Sequence, residues 1–184
     1  MQSPEGRLAS PGYSQLQIRL HWITVGLLAV QWVFSGNMPA IIDTLDAGAA
    51  PDGWQFLQSS IHVYTGLSVL GIVLVRLYLR RRDGTPPAPA GQSGVLHCLA
   101  KVTHYGLYCT LICMPITGAL TWFGVLPAAS IWHHRLSWVL ILLIILHTSA
   151  ALWHRWVKKD GVLARMLSSS GETPETTNKI DRQV

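Results

Sequence analysis

The chain has 184 residues and a mean hydropathy of +0.32, with 49% apolar and 12% charged residues. Soluble domains carry about 25% charged residues, so these values indicate one membrane domain and no separate soluble domain. The formal net charge of +5 does not indicate nucleic-acid binding, because the basic residues lie beside apolar segments rather than on a globular face.

Four apolar segments follow one another, each long enough to cross a bilayer as a helix. A polar tail over residues 1–15 precedes them, and a polar, disorder-prone tail over residues 168–184 follows them. The membrane domain between the tails covers residues 16–167, and residues 35–58 within it are expected to form a loop. The expected spans are residues 16–34, 60–79, 95–123 and 129–156. Because backbone groups in lipid must be satisfied internally, the sequence predicts an all-α fold, a transmembrane four-helix bundle.

Lysine and arginine lie on one side of the four segments. They precede the first segment, flank the connection between the second and third, and follow the fourth, whereas the other two connections carry none. The basic residues are Arg7, Arg19, Arg80, Arg81, Arg82, Lys101, Arg155, Lys158, Lys159 and Arg165. By the positive-inside rule both termini are expected to be cytoplasmic.

Four histidines lie inside the apolar segments: His21, His62, His133 and His147. An ionisable side chain at membrane depth is costly and points to a functional site. Imidazole is the usual axial ligand of b-type haem, and four such ligands are enough for two haems. The three cysteines form no C-x-x-C-H pattern, so covalent haem attachment is not expected.

The predicted orientation sorts these histidines by depth. His62 and His133 fall in the outer half of the membrane, and His21 and His147 fall in the inner half. His147 follows His133 by 14 residues, almost four turns and about 21 Å, so both lie on one helix face. The sequence thus predicts one haem between His62 and His133 and another between His21 and His147. Interhelical hydrogen bonds would be a purely structural alternative.

Two residues near these pairs are candidates for haem contacts. Arg76 lies at the inner end of the second segment, where a haem propionate would supply the anion it needs; snorkelling to the lipid headgroups is the alternative. Gly66 is four residues after His62, on the same face, and its missing side chain would let a macrocycle approach the backbone. Ordinary packing of a small residue explains Gly66 equally well.

Two further histidines near the cytoplasmic end are candidates for quinone or propionate contacts. His154 follows His147 by seven residues on the same face, and could protonate a quinone or simply be solvated at the interface. His104 in the third segment could contact a quinone or a propionate, or make a structural hydrogen bond.

Motifs in this order and spacing resemble those of the bacterial cytochrome b561 family, the four-helix di-haem membrane cytochromes. The similarity runs from about residue 13 to 167. The matching motifs are Tyr13-Ser14-Gln15-Leu16-Gln17-Ile18-Arg19-Leu20-His21-Trp22, Ile61-His62-Val63 with Gly66, Val75-Arg76-Leu77 with Arg80, His104 with Pro115 and Gly118, Trp132-His133, His147 and His154. The chain departs from the family in its longer tails, its short outer loops and His134 beside His133.

The resemblance implies His21, His62, His133 and His147 as axial ligands, two non-covalent b haems and a multi-pass place in the bacterial inner membrane. It also implies electron exchange with the quinone pool. Superoxide oxidation coupled to quinone reduction is one activity suggested for this family.

These observations predict single-electron transfer between a periplasmic-side donor, with superoxide as one candidate, and quinone. The expected partners are lipid, quinone and a periplasmic one-electron donor; a homodimer stays open, as does whether the chain is itself an enzyme. One alternative is the cytochrome b subunit of a larger membrane dehydrogenase or hydrogenase. Another is a histidine-based metal-binding or transport protein, which the near absence of acidic residues within the segments disfavours. The last is a purely structural membrane protein.

Overall fold

The structure, a computed structural model, describes residues 12–87 and 93–167. Within these residues it is all-helical, with five α-helices and no strand. The helices are α1 (Gln15–Ser35), α2 (Met38–Asp46), α3 (Gly53–Asp83), α4 (Gly94–Trp122) and α5 (Ala129–Trp153), followed by a π-helical turn (His154–Lys158) and a 3₁₀ turn (Ala164–Met166). The predicted C-terminal tail, and the N-terminal tail up to residue 11, lie outside the described residues.

Side-chain caps fix where α1 and α3 begin. Ser14 and Gln17 form a reciprocal capping box at the start of α1, and Asp52 and Gln55 form another at the start of α3. The predicted first span, residues 16–34, lies inside α1. The predicted second span, residues 60–79, lies inside α3, which the Asp52 cap starts seven residues earlier, at Gly53.

The prediction of a loop over residues 35–58 is wrong. It contains α2, whose second residue is Pro39, a residue that fits the first turn because its missing N–H has no partner to lose there. Ile41 of α2 is fully buried, and α2 packs against α3. The apolar face of this nine-residue helix is therefore docked onto the longer helix rather than left as loose chain.

In the described part of the chain, three helices are long and apolar enough to cross a membrane: α1, α3 and α5 continued to Lys158. The helix α4 has 29 residues, but Lys101, His104 and several threonines interrupt its apolar sequence, and it falls outside that group of three. Large apolar side chains cover the outside of the protein, as lipid contact requires. Trp32, Val33, Tyr64 and Trp138 are between 63% and 69% exposed.

Close backbone packing joins α1 to α3, α3 to α4, and α4 to α5. A small apolar core of Val69, Val73, Leu111 and Leu140 lies where α3, α4 and α5 meet. Backbone packing of α5 against α1 and α3 is much sparser, so side chains span the space between these helices. His21, His62, His133 and His147 project into that space.

Candidate functional site

The structure brings the intramembrane histidines together in two pairs. The ring centroids of His62 on α3 and His133 on α5 are 6.2 Å apart, with an angle of 77° between the planes. Those of His21 on α1 and His147 on α5 are 6.3 Å apart, with an angle of 64°. One face of α5 thus contributes one histidine to each pair.

The spacing within each pair suits two nitrogen ligands on one metal ion. Imidazoles that bind an ion through nitrogen at about 2 Å each have ring centroids about 6 Å apart when they lie on opposite sides of it. In the described part of the chain, no group of three or more His, Cys, Asp or Glu side chains is placed to hold a metal ion. Two axial ligands are sufficient for haem iron, because the porphyrin supplies the other four nitrogens.

His133 is held in one tautomer by α4. Its Nδ1 lies 2.8 Å from the carbonyl oxygen of Met114, which can only accept, so Nδ1 donates and Nε2 keeps its lone pair. Metal-binding histidines commonly make this kind of bond through their second ring nitrogen. A Cβ on Gly118 would lie 2.8 Å from Cε1 of His133 and 2.9 Å from its Nδ1, so the ring occupies space that only glycine leaves.

His62 has a different environment. Its Nδ1 is buried and has no hydrogen-bond partner within the described residues, and the same is true of Oε1 of Gln31. The Gln31 amide nitrogen donates to the His62 carbonyl oxygen at 2.8 Å. A buried polar atom without a partner is rare, so each of these two atoms calls for an explanation.

Gly66 does not leave open space beside α3. A Cβ at this position would lie 2.8 Å from Nε2 of Gln31, so the glycine makes room for the Gln31 side chain. Close packing of α1 on α3, the alternative considered from the sequence, therefore accounts for Gly66.

Arg76 contacts His21 directly, which the sequence did not suggest. Its Nη2 donates to Nδ1 of His21 at 3.0 Å, since a guanidinium can only donate, and its Nη1 donates to Oγ1 of Thr24 at 3.3 Å. This contact keeps the proton of a neutral His21 on Nε2, so His21 can bind a metal through Nε2 only after Arg76 releases Nδ1. Its guanidinium and that of Arg80 lie 5.9 and 5.8 Å from the ring centroid of Tyr108. None of the ion pairs in residues 12–87 and 93–167 includes Arg76, so its charge is free to hold an anion.

His104 lies beside the pair of His21 and His147. Its ring centroid is 5.1 Å from that of His147, closer than either pair above. Its Nδ1 donates to the carbonyl oxygen of Ala100 at 2.7 Å, which is the structural hydrogen bond considered as the alternative. His134, which follows His133 in the chain, is exposed and accepts a hydrogen bond from Nε1 of Trp138.

His154 makes a contact that sequence reasoning missed. Its Nδ1 lies 2.5 Å from Oδ2 of Asp160, which follows the π-helical turn. Burial raises the pKa of Asp160, but hydrogen bonds from His154 and from the Val162 backbone N–H outweigh that effect and hold the pKa below its usual value. The only signal in the sequence was a lone carboxylate in a strongly basic segment.

Apolar helices that carry paired histidines define a class: membrane proteins of the b-type cytochrome kind. The model of the family described as prokaryotic cytochrome b561 matches residues 12–169, and the chain belongs to this family. Membership makes it a bacterial membrane electron-transfer protein and carries haem b binding with it.

Curated relatives are similar over nearly their whole length. Cytochrome b562 of Cereibacter sphaeroides is 33% identical, over 85% of this chain and 96% of its own. A probable superoxide oxidase, CybB, of Yersinia pestis is 30% identical, over 84% of this chain and 95% of its own. Cytochrome b561 homolog 1 of Escherichia coli is 28% identical, over 84% and 96%.

Proposed function

We propose that the chain is a di-haem cytochrome of the bacterial inner membrane that transfers single electrons between a periplasmic donor and quinone. In this proposal α1, α3, α4 and α5 form a four-helix transmembrane bundle with both termini in the cytoplasm. His62 and His133 hold the outer haem, and His21 and His147 hold the inner haem. The observation that carries the proposal is the pair of ring separations, 6.2 and 6.3 Å, on one face of α5.

Both haems would be bound without a covalent link, between α5 and the facing helices α1 and α3. Sparse backbone packing there supports this placement, since a flat macrocycle needs a gap between helices. When bound, the haems supply reversible one-electron oxidation and reduction. The protein supplies position and charge.

Individual side chains have distinct roles in this proposal. The Met114 carbonyl keeps the proton of His133 on Nδ1 and frees Nε2 for iron. Arg76 and Arg80 form a cationic pair, suited to the propionates of the inner haem. His154 protonates the quinone. His104, whose Nδ1 donates a hydrogen bond to a backbone carbonyl, lines the inner site.

Superoxide is our first candidate for the periplasmic donor. The support is a relative named as a probable superoxide oxidase, which is 30% identical over most of both chains. Oxidation of superoxide gives up one electron, which matches a one-electron haem carrier. Quinone accepts two electrons, so its full reduction would take two such steps.

The test is a count of haems in matched variants. The purified protein should show a b-type reduced-minus-oxidised spectrum and two extractable haems per chain. His62→Leu and His21→Leu should each leave one haem. His134→Leu, an exposed histidine next to a proposed ligand, should leave two. A protein that binds no haem under adequate haem supply, or variants that all retain two, would overturn the assignment.

A further inference from the structure

We propose that His154 and Asp160 form a proton-delivery pair for quinone reduction, in which Asp160 is the positioning residue that orients His154. The inference rests on the proposed function, since it concerns the quinone end of the same electron path.

The pair is built by the turn that ends α5. His154 is the first residue of the π-helical turn, and Lys159 adopts a left-handed conformation (φ 52°) that reverses the chain. The reversal brings Asp160 back onto His154, where Oδ2 meets Nδ1. The other carboxylate oxygen, Oδ1, accepts the backbone N–H of Val162 at 3.2 Å. The His154 and Asp160 side chains are only 14% and 21% exposed.

Two further bonds fix the segment after the turn against the rest of the protein. Nε1 of Trp22 on α1 donates to the carbonyl oxygen of Met166 at 2.8 Å. Nη1 of Arg165 donates to the carbonyl oxygen of Pro87, beyond α3, at 2.8 Å. The segment that carries Asp160 is therefore anchored at both α1 and the connection after α3.

The position of the pair suits the inner end of the electron path. His154 follows His147 by seven residues, about two helical turns and roughly 10 Å along the same face. A quinone bound between them would lie beside the inner histidine pair and within reach of cytoplasmic water. π-Helical turns of this kind occur frequently at functional sites.

The chemistry follows from which nitrogen the carboxylate occupies. Because Nδ1 of His154 donates its hydrogen bond to Asp160, Nε2 is the ring nitrogen that remains available to a substrate. Quinone gains two electrons, one at a time, from the cytochrome, and two protons. In one of the proton transfers the Nε2–H bond of the imidazolium breaks and an O–H bond forms on the quinone. The neutral imidazole then regains a proton from water at the exposed edge of the pair.

The charges around His154 explain why a carboxylate is needed. On the turn and the segment after it, Arg155, Lys158, Lys159 and Arg165 are all basic, so the surroundings of His154 are strongly positive. Trp22 of α1, which donates to the Met166 carbonyl of this segment, is neutral. Asp160 is the only carboxylate among residues 153–167, so it alone balances the positive charge.

The experiment measures how fast protein pre-reduced with dithionite is reoxidised by a short-chain ubiquinone analogue, from about pH 5.5 to about pH 8.5. Asp160→Asn keeps an oxygen for the Val162 N–H but lacks the charge. We expect quinone reduction by this variant to be at least about 10-fold slower at neutral pH and to recover toward low pH, where protons from solution replace the proton that an oriented His154 delivers. His154→Gln should be slow at every pH. Asp83→Asn, which removes an exposed carboxylate paired with Arg82, should match the unmodified protein.

Haem spectra and haem counts separate the outcomes. Normal spectra with a rate profile shifted to lower pH in Asp160→Asn support the inference, because a merely structural role would not be rescued by acid. A profile identical to that of Asp83→Asn overturns the inference alone. If the unmodified protein binds two haems but stays reduced in the presence of the quinone, the quinone assignment falls and the inference falls with it.

Discussion

Gly118 limits where the ring of His133 can lie, and Gly118→Ala tests that limit. The added Cβ would be 2.8 Å from Cε1 of His133, whereas ordinary contacts begin at 3.4 Å, so the ring must move by at least about 0.6 Å. The ring has little freedom to move, because Nδ1 is bonded to the Met114 carbonyl. Overpacking of this kind costs ~1–3 kcal/mol. If the outer haem bears that cost, its binding weakens roughly 5- to 150-fold.

The assay is the rate at which each haem is lost to excess apomyoglobin, together with a redox titration. Gly118→Ala should lose one haem faster and shift one midpoint potential, leaving the other haem unchanged. Gly71→Ala is the matched control, since a Cβ there meets nothing within 4 Å and the glycine also lies inside a long apolar helix. If the two variants behave alike, Gly118 does not shape the outer site and the placement of His133 is refuted.

Three further predictions concern other contacts. In Gly66→Ala the Cβ meets the flexible end of Gln31, so Gln31 should swing away and lose its hydrogen bond to the His62 carbonyl. The free energy of unfolding should fall by about 1 kcal/mol in thermal unfolding, with both haems retained. Loss of a haem would instead place Gly66 in the haem site. Arg76→Gln removes a positive charge next to His21 and should lower only the inner midpoint potential, by tens of millivolts, whereas Arg82→Gln, an exposed arginine, should change neither potential. Because the folded-state pKa of Asp160 lies below the usual 3.8, its contribution to stability is complete above that value and is lost as the pH falls through the lowered pKa. Faster hydrogen exchange at the Val162 N–H in that acid range, absent from Asp160→Asn, is the expected observation, and unchanged exchange would contradict it.

Histidine spacing carried most of the information about the site. Because His133 and His147 are separated by almost four turns, both lie on one helix face. Their predicted depths in the membrane then pair His133 with His62 and His147 with His21. The pairs that the structure brings together, at 6.2 and 6.3 Å, are the pairs chosen in that way. Periodicity and charge placement are properties of single segments, and a sequence shows them directly.

Contacts between helices could not be predicted from the sequence, because they depend on how two segments pack and not on either segment alone. The Met114 carbonyl is a backbone group that any residue would offer, so nothing in the sequence marks it as the partner of His133. Gln31 fills the space beside Gly66 only because α1 and α3 pack in one register. The early start of α3 at the Asp52 cap was visible in principle, but hydropathy does not detect a capping box.

Charge on the outer face bears on which donor the protein accepts. In the proposed topology this face carries the exposed carboxylates Asp43, Asp46 and Asp52, and Arg135, stacked on a tryptophan, is the one basic residue near it. The resulting field repels an anion such as superoxide. Reduction by superoxide should therefore speed up as ionic strength rises from about 10 to about 150 mM, over which the Debye length falls from about 30 to about 8 Å. A cationic donor such as hexaammineruthenium(II) should slow down over the same range.

Replacing Asp43 and Asp46 with asparagine should flatten both responses, because these two carboxylates have exposed positions on α2. If superoxide instead reacts more slowly at higher salt, a local positive site around Arg135 outweighs the acidic surface. That result would make Arg135 the entry point for the anion, and Arg135→Gln would then be the variant that abolishes the salt dependence. If the rates with superoxide follow the predicted direction, superoxide reaches the outer haem against the field of these carboxylates, and the acidic surface limits its rate at low ionic strength.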